Sequence, residues 1–363
     1  MITLEINIGR IRKNIAIIKK RVKARIYAVV KAQAYGHGFE TAAYIQDSVY
    51  GFAVSNTAEA YELAKRGVIK PILILCPAEA ADCSVLSGCK ATGYGNVIYT
   101  VCRHDDLRCL NNCRVAVKVN TGMNRLGANV NSVGKLISKI SSRSDLVISE
   151  MFTHFCEVGS AAQQLSVFEP VIGIARSMDI AVHACASNCL KLGSEFHLDA
   201  VRCGLAIYGY GEADRAGCIA GDNGTDSCPG FLKNEIGLLP ALSAYTKIVQ
   251  INYVKKGERI GYGSNYAPHD MKVAVLMAGY ADGFRRADAR SVVIAGVECG
   301  IFGNVCMDMC MADVSKLKHV KVGDRAYLLN DCLNAQVLAE RLGIVPYEIL
   351  TAFSGDRIKR IYV

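Results

Sequence analysis

PILILC, residues 71–76, is apolar at almost every position. A strand wet on one face alternates apolar and polar residues. One buried on both faces does not, and such strands belong to parallel sheets. Similar β-branched runs stand near 26–31, 51–55, 97–101, 114–120, 147–153, 180–184 and 198–203. Helix-period segments such as 57–66, 130–142 and 161–177 alternate with them. Eight strands and seven crossovers in roughly 200 residues predict an α/β fold, a closed (β/α)8 TIM-like barrel rather than an open sheet. The barrel is expected over 9–235.

The pattern changes after residue 212. GEADRAGCIAGDNGTDSCPG, 211–230, has the composition of an exposed connection. Beyond it, 241–254, 272–278, 291–298 and 325–329 read as strands punctuated by Gly-rich turns, with a helix near 334–343. This predicts a β-rich C-terminal domain over 236–363, to which an N-terminal strand within 1–8 is added.

Composition narrows the function. Hydrophobic residues make up 51% and charged residues 21% of 363, as in a packed globular protein. No run is long and apolar enough for a bilayer span, and MITLEINIGRIRKNI lacks a signal-peptide core. The net charge is +9, but the cations are scattered, without the interleaved aromatics of a nucleic-acid surface. Cationic walls suit anionic ligands instead. The 16 cysteines show no CxxC and no His-Cys ligand spacing, so neither a metal site nor a disulfide framework is expected. Many lie in apolar strands as small hydrophobes, which points to a reducing, cytoplasmic setting. Asn223-Gly224-Thr225 fits a glycosylation sequon that such a setting leaves unmodified.

The chemistry concentrates at the strand ends, where barrels of this kind keep it. Lys31, in AVVKAQAYGHG (28–38), closes the first strand before small, turn-forming residues. An amine there is either a desolvated nucleophile able to bind a carbonyl cofactor, or a lysine snorkelling from a strand end. Lys118 lies in the fifth strand, and NTGMNRLG (120–127) follows it with Arg125. His154 follows the sixth, Ser187 the seventh, and Arg202 with Gly204 ends the eighth. Each alone has a structural explanation as a surface ion pair or a satisfied core group. Together they present the field that a phosphorylated, electron-withdrawing cofactor requires.

AVVKAQAYGHG resembles the cofactor-lysine motif of the alanine racemase family of pyridoxal-phosphate enzymes. NTGMNRLG, FTHF, VRCGLAIYG, GYGSNY, GYADGF and NVCMDM follow in that family's order and spacing. The resemblance spans nearly the whole chain. It implies pyridoxal 5'-phosphate bound as a Schiff base on Lys31, and a homodimer whose subunits share active sites. It also implies interconversion of the enantiomers of a small amino acid by two bases, Lys31 and Tyr262. Tyr35, Ser187 and the backbone of Gly204 and Leu205 resemble the phosphate site. Arg125 resembles the arginine near the phenolic oxygen and substrate carboxylate. Arg202 resembles the one facing the pyridine nitrogen, with His154 as its hydrogen-bonding neighbour. Lys118 matches a lysine that is often carbamylated, Met307 with Asp308 a donor to the substrate carboxylate, and Tyr280 with Arg286 residues of the entrance.

Two departures stand out. Asn120 replaces an aspartate, with slight effect expected. AFSGDRIKRIYV, 352–363, has Gly355 and Asp356 where the family commonly places a tyrosine walling the substrate pocket. The lost bulk leaves room, and Asp356 a polar partner, for a β-hydroxyl. In this the chain resembles the racemase portion of membrane-bound serine/alanine racemases of vancomycin-resistant bacteria, so L-serine stands beside L-alanine as expected substrate, and a membrane domain outside these residues is allowed. The D-amino acid would feed cell-wall precursors. Strict alanine racemisation is the alternative. Another is a non-catalytic barrel of pyridoxal-phosphate homeostasis, which lacks a β domain. Fold-related basic-amino-acid decarboxylases carry a cysteine acid and acidic substrate motifs not found here.

Overall fold

A computed structural model describes residues 1–77, 95–211, 237–286 and 290–363. Eight parallel strands close on themselves: β2 (Arg25–Val29), β3 (Gly51–Val54), β4 (Ile72–Pro77), β5 (Val97–Val101), β6 (Cys113–Asn120), β8 (Leu146–Phe152), β9 (Ala181–Ala186) and β10 (Ala200–Cys203). Strand β10 returns to β2 in parallel register, Val201 opposite Ile26, which shuts the barrel. A two-residue strand, β7 (Ala128–Asn129), hangs on the end of β6. The expected TIM-like barrel is therefore present. Strand β5 coincides with the sequence reading, and the others shift by one or two residues at one or both ends.

Helices cover the barrel for local reasons. In Ile8–Arg21, Asn7 caps the start by accepting from the Arg10 N–H at 2.8 Å, and Ile11, Ile15 and Ile18 form the buried stripe. Basic residues in its last turn complement the helix dipole. Buried Asn14 of the same helix donates to the Ile207 and Leu239 carbonyls and accepts from the Leu239 N–H. It thereby fixes the chain where it leaves the barrel.

The β-rich part is an eight-stranded sheet: β1 (Thr3–Ile6), β11 (Leu242–Val254), β12 (Met271–Leu276), β13 (Ser291–Ile294), β14 (Val297–Gly300), β15 (Cys310–Asp313), β16 (Arg325–Leu329) and β17 (Lys359–Tyr362). Strand β1 lies between β11, antiparallel, and β17, parallel. The segment read as one strand over 291–298 is a hairpin, β13–β14. Its turn needs positive φ at both central residues, and Ala295 (50°) and Gly296 (79°) supply it. Alanine there gives no turn signal. Strands β15 and β17 and the helix Pro346–Ala352 were not anticipated. One hydrophobic core runs through both parts, from Ile2 and Leu4 to Val292 and Leu350.

The connection at 211–230, Gly211 apart, lies outside the described residues, as do the 235/236 boundary and the sequon at Asn223. Among described residues, no helix is long and apolar enough to cross a membrane. Among the described cysteines Cys332 is disulfide-bonded and the others form no disulfide. The expectation was of no disulfide framework, and one bond is present. Cys332 sits in a half-exposed turn rather than in an apolar strand, where a thiol is a packing group.

Candidate active site

The strand period of two sorts the barrel's inner face into layers. Tyr27 and Lys31 share a face of the β2 segment, as do Glu150, Phe152 and His154 of β8, and His183 and Ser187 of β9. The upper layer holds most of the residues singled out from sequence. Lys31 stands at the C-terminal end of β2, half-buried. After it the backbone turns left-handed: Ala32, Gln33, Ala34 and Tyr35 have φ of 50–54°, and Gly36 has 83°. Four consecutive L-residues in that region are strained, by roughly 1–2 kcal/mol each.

Neighbours hold the turn. The Glu59 carboxylate accepts from the Ala32 and Ser55 N–H groups, each at 2.7 Å. Gln33 Nε2 donates to the Ser354 carbonyl at 3.0 Å, and Arg360 Nε to the Gly36 carbonyl at 3.1 Å. Gly36 is required twice over, since a Cβ there would stand 2.3 Å from the Leu350 carbonyl oxygen. The β-rich part thus clamps the turn that carries Lys31.

Tyr35 is brought against Gly204: a Cβ on Gly204 would lie 2.6 Å from the Tyr35 hydroxyl. Ser187 Oγ accepts from the N–H of Gly204 (2.9 Å) and of Ala206 (3.3 Å). Burial, with Tyr347 and Glu59, holds the Tyr35 phenol well above its usual pKa, so it remains a donor. Hydroxyls and backbone N–H groups thus converge on one cradle.

Arg202 is 2% exposed. Its guanidinium donates to the Thr153 carbonyl (2.7 Å), the Ala184 carbonyl (2.9 Å), His154 Nδ1 (3.2 Å) and His183 Nδ1. Burial lowers its pKa to about 10, so it stays cationic at neutrality. Burial and then Arg202 push His154 down to about 3, making it a neutral acceptor. Lys118, buried between the Phe152 ring and the mouth, falls to about 8, chiefly through burial and then Arg202 and Arg125. Lys31, Lys118 and Arg125 have no carboxylate partner among the described residues. Arg125 is exposed on the loop after β6. There Asn120 Oδ1 accepts from the Gly122 and Asn124 N–H groups, the acceptor role an aspartate oxygen would fill.

The residues from the β-rich part are not gathered onto Lys31 within one chain. Tyr262 is 73% exposed, Met307 and Tyr280 are exposed, and Arg286 is exposed. Asp308 accepts from Arg357 at 2.7 Å, and Arg357 also pairs with buried Asp282. Asp356 and Gly355 are exposed. Leu205 begins a buried 3-10 turn, Leu205–Tyr208.

Sequence reasoning missed four groups: Glu59, Gln164, His183 and Glu150. Gln164 Nε2 donates to the His154 carbonyl (3.0 Å) and to Thr121 Oγ1 (3.2 Å), tying two mouth loops together. The available signal was a charged or imidazole side chain inside an apolar barrel strand, as in LVISEMF and AVHACA.

A closed β/α barrel with a cationic mouth, followed by a β-rich sheet that supports the lysine turn, defines the barrel-type class of pyridoxal-phosphate enzymes. Family models narrow this: residues 6–212 match the alanine racemase N-terminal domain, and 241–362 the C-terminal domain. The chain belongs to the alanine racemase family. It is 31% identical over 380 residues to an alanine racemase of Streptococcus uberis, covering 99% of this chain and 96% of the relative. It is 29% identical over 392 residues to one from Citrifermentans bemidjiense, covering 99% and 98%. Among solved structures it resembles the alanine racemase of Clostridium difficile 630, with TM-score 0.87, 27% identity and coverage of 100% and 95%. That of E. faecalis gives TM-score 0.84 at 27% identity, with coverage of 100% and 98%.

Pyridoxal phosphate is the cofactor of this family. The residues present fit it. A cradle at Gly204 that admits no Cβ, the Tyr35 and Ser187 hydroxyls, and the cations Lys31, Lys118 and Arg125, without a carboxylate partner among the described residues, match a dianionic phosphate and an anionic ring.

Proposed function

We propose that this chain interconverts the enantiomers of alanine, and of serine as a second substrate, by two-base proton exchange in a homodimer. The carrying observation is the contrast between its two bases. Lys31 is fixed inside the barrel mouth, whereas Tyr262 is 73% exposed on a face its own chain leaves uncovered. A symmetric pair in which each sheet faces the other's barrel would bring the second copy's Tyr262 opposite Lys31.

Lys31 would hold the cofactor covalently, with Tyr35, Ser187 and the Gly204–Leu205 backbone on its phosphate and Arg202 at its pyridine nitrogen. When bound, the cofactor supplies an electron sink that acidifies the substrate's α-proton. Racemisation removes that proton on one face and returns one on the other, so Lys31 and the partner subunit's Tyr262 must flank the carbon. Arg125, Arg202 and Lys118 place positive charge at the mouth, where the anionic cofactor and the substrate carboxylate would sit. Arg202 keeps its proton, so it would donate to the ring nitrogen rather than protonate it. Arg125 and the Met307 N–H would receive the substrate carboxylate, Asp308 being held by Arg357, while Tyr280 and Arg286 border the entrance.

Lys118 is buried with a pKa of about 8 and has no acceptor among the described residues, so its neutral amine is suited to carbamylation, which would give Arg125 an anion to lean on. Serine is favoured beside alanine because residues 354–357 carry no aromatic ring, and the exposed Asp356 carboxylate would meet a hydroxyl. The D-amino acid formed would serve cell-wall precursors. Circular dichroism of L-alanine and of L-serine incubated with the holoenzyme tests the reading. Inversion of both supports it, inversion of alanine alone removes serine, and optical stability of both refutes racemisation.

A further inference from the structure

Below the mouth, a chain of buried polar groups runs down the barrel interior from Arg202. A guanidinium can only donate, so His183 Nδ1, which receives Arg202 Nη1, carries no proton. The imidazole proton therefore sits on Nε2, which donates to Glu150 Oε2 at 3.0 Å. The other carboxylate oxygen accepts from the Tyr27 hydroxyl. Every link is directional, and all four side chains are nearly or fully buried. Burial opposes ionisation of Glu150, but His183, Tyr27 and Arg114 hold its pKa below the usual carboxylate value. Burial and Arg202 keep His183 neutral. The relay thus joins one anion to one cation through a neutral ring. As scaffolding it would be a poor choice, because apolar residues of similar volume are usually no less stable than a buried ion pair.

We propose that Glu150 is a positioning residue for the racemisation inferred above: through His183 it fixes the direction in which Arg202 points and offsets its charge. This rests on the proposed function. Arg202 then meets the cofactor nitrogen as an oriented, attenuated donor. Without the carboxylate the guanidinium is an uncompensated cation in a low-dielectric interior. Its pull on the cofactor ring rises, and more turnovers end with nitrogen left on the cofactor. Each such event releases one keto acid and leaves one aminated cofactor, so the exchange balances.

Two variants separate charge from geometry. Glu150→Gln keeps an acceptor for His183 Nε2 and removes the charge, while Glu150→Leu removes both. Nitrogen-15 spectra of the cofactor-free protein, with His183 assigned through His183→Gln, read the tautomer directly. Arg202 keeps the proton on Nε2 in all three, so the Nε2–H itself carries the difference: it should be hydrogen-bonded and slow to exchange in wild type and Glu150→Gln, and lose that hydrogen-bonded shift in Glu150→Leu. In the loaded enzyme with L-alanine, Glu150→Gln should lower kcat about tenfold at nearly constant KM, and raise keto acid formed per racemisation about tenfold. A His183 Nε2–H signal unchanged in Glu150→Leu, or Glu150→Gln with wild-type kcat and partition, overturns the proposal. If Glu150→Leu fails to fold, Glu150→Gln still decides it. Wild-type holoenzyme that racemises nothing would instead refute the proposed function, with the tautomer result still standing on its own.

Discussion

Replacing Glu59 by alanine removes both carboxylate contacts that hold the left-handed turn behind Lys31. Ala32 to Tyr35 carry φ of 50–54°, a strain of about 4–8 kcal/mol over the four residues. Opposing it, Glu59 accepts two N–H groups at 2.7 Å. Bonds to a charged group contribute about 1.5–3 kcal/mol when shielded, and Glu59 is only half-buried, so the pair contributes about 2 kcal/mol. Glu59→Ala should lose that amount in guanidinium unfolding of the apo protein. It should also weaken cofactor affinity about tenfold, because Lys31 and Tyr35 bracket the turn. Ala32→Gly gives the sharper sign. In an ordinary helix it would cost about 1 kcal/mol. At φ of 50° glycine relieves about 1 kcal/mol of steric cost against about 0.5 kcal/mol of added unfolded-state freedom. The substitution should therefore be neutral or slightly stabilising, and it should restore part of what Glu59→Ala loses. Ala32→Gly that destabilises by about 1 kcal/mol in both backgrounds would refute the reasoning.

Gly36→Ala should destabilise by at least about 3 kcal/mol, since its Cβ meets a backbone oxygen at 2.3 Å and φ is 83°; denaturant midpoints check this. Tyr262→Phe should cut racemisation at least about a hundredfold while the cofactor's visible absorbance persists; retained activity would remove the second base. Lys118 carbamylation needs the neutral amine, so carbon-13 bicarbonate labelling should rise as pH climbs through about 8, and degassed protein should lose activity that bicarbonate restores. In the uncarbamylated protein, the depressed Lys118 pKa makes the unfolded chain bind the extra proton between pH 8 and 10.5. Stability from this group therefore rises with pH across that window and is penalised below it, an effect that Lys118→Met should abolish in urea titrations.

The barrel was legible because two-sided burial leaves apolar runs such as PILILC, and β5 needed no adjustment. The hairpin β13–β14 was hidden by Ala295, which adopts a positive φ that its chemistry does not advertise. Strand β17, KRIY, reads as polar and is fixed by pairing with β1 rather than by pattern. At the mouth, strand-end placement exposed Lys31, Arg202 and Ser187 to sequence reasoning. The layer below was not legible. Glu150 and His183 acquire meaning only once barrel closure sets β8 beside β9 and Arg202 above them. Glu59 looks like a first-turn acid serving its own helix, and its contact with the Ala32 N–H comes from a loop 27 residues away.

Strand β1 has a bearing on synthesis. Residues 3–6 leave the ribosome before both of their neighbours in the sheet, β11, starting at Leu242, and β17, ending at Tyr362. This segment waits with both edges unpaired until β11 is made, and with one edge unpaired until β17 follows, while the barrel between can already close. An unpaired strand edge recruits other chains. Yield from recombinant expression should therefore depend on how quickly the last four-residue strand arrives, and slow codons placed after Leu329 should cost more soluble protein than the same codons within the barrel.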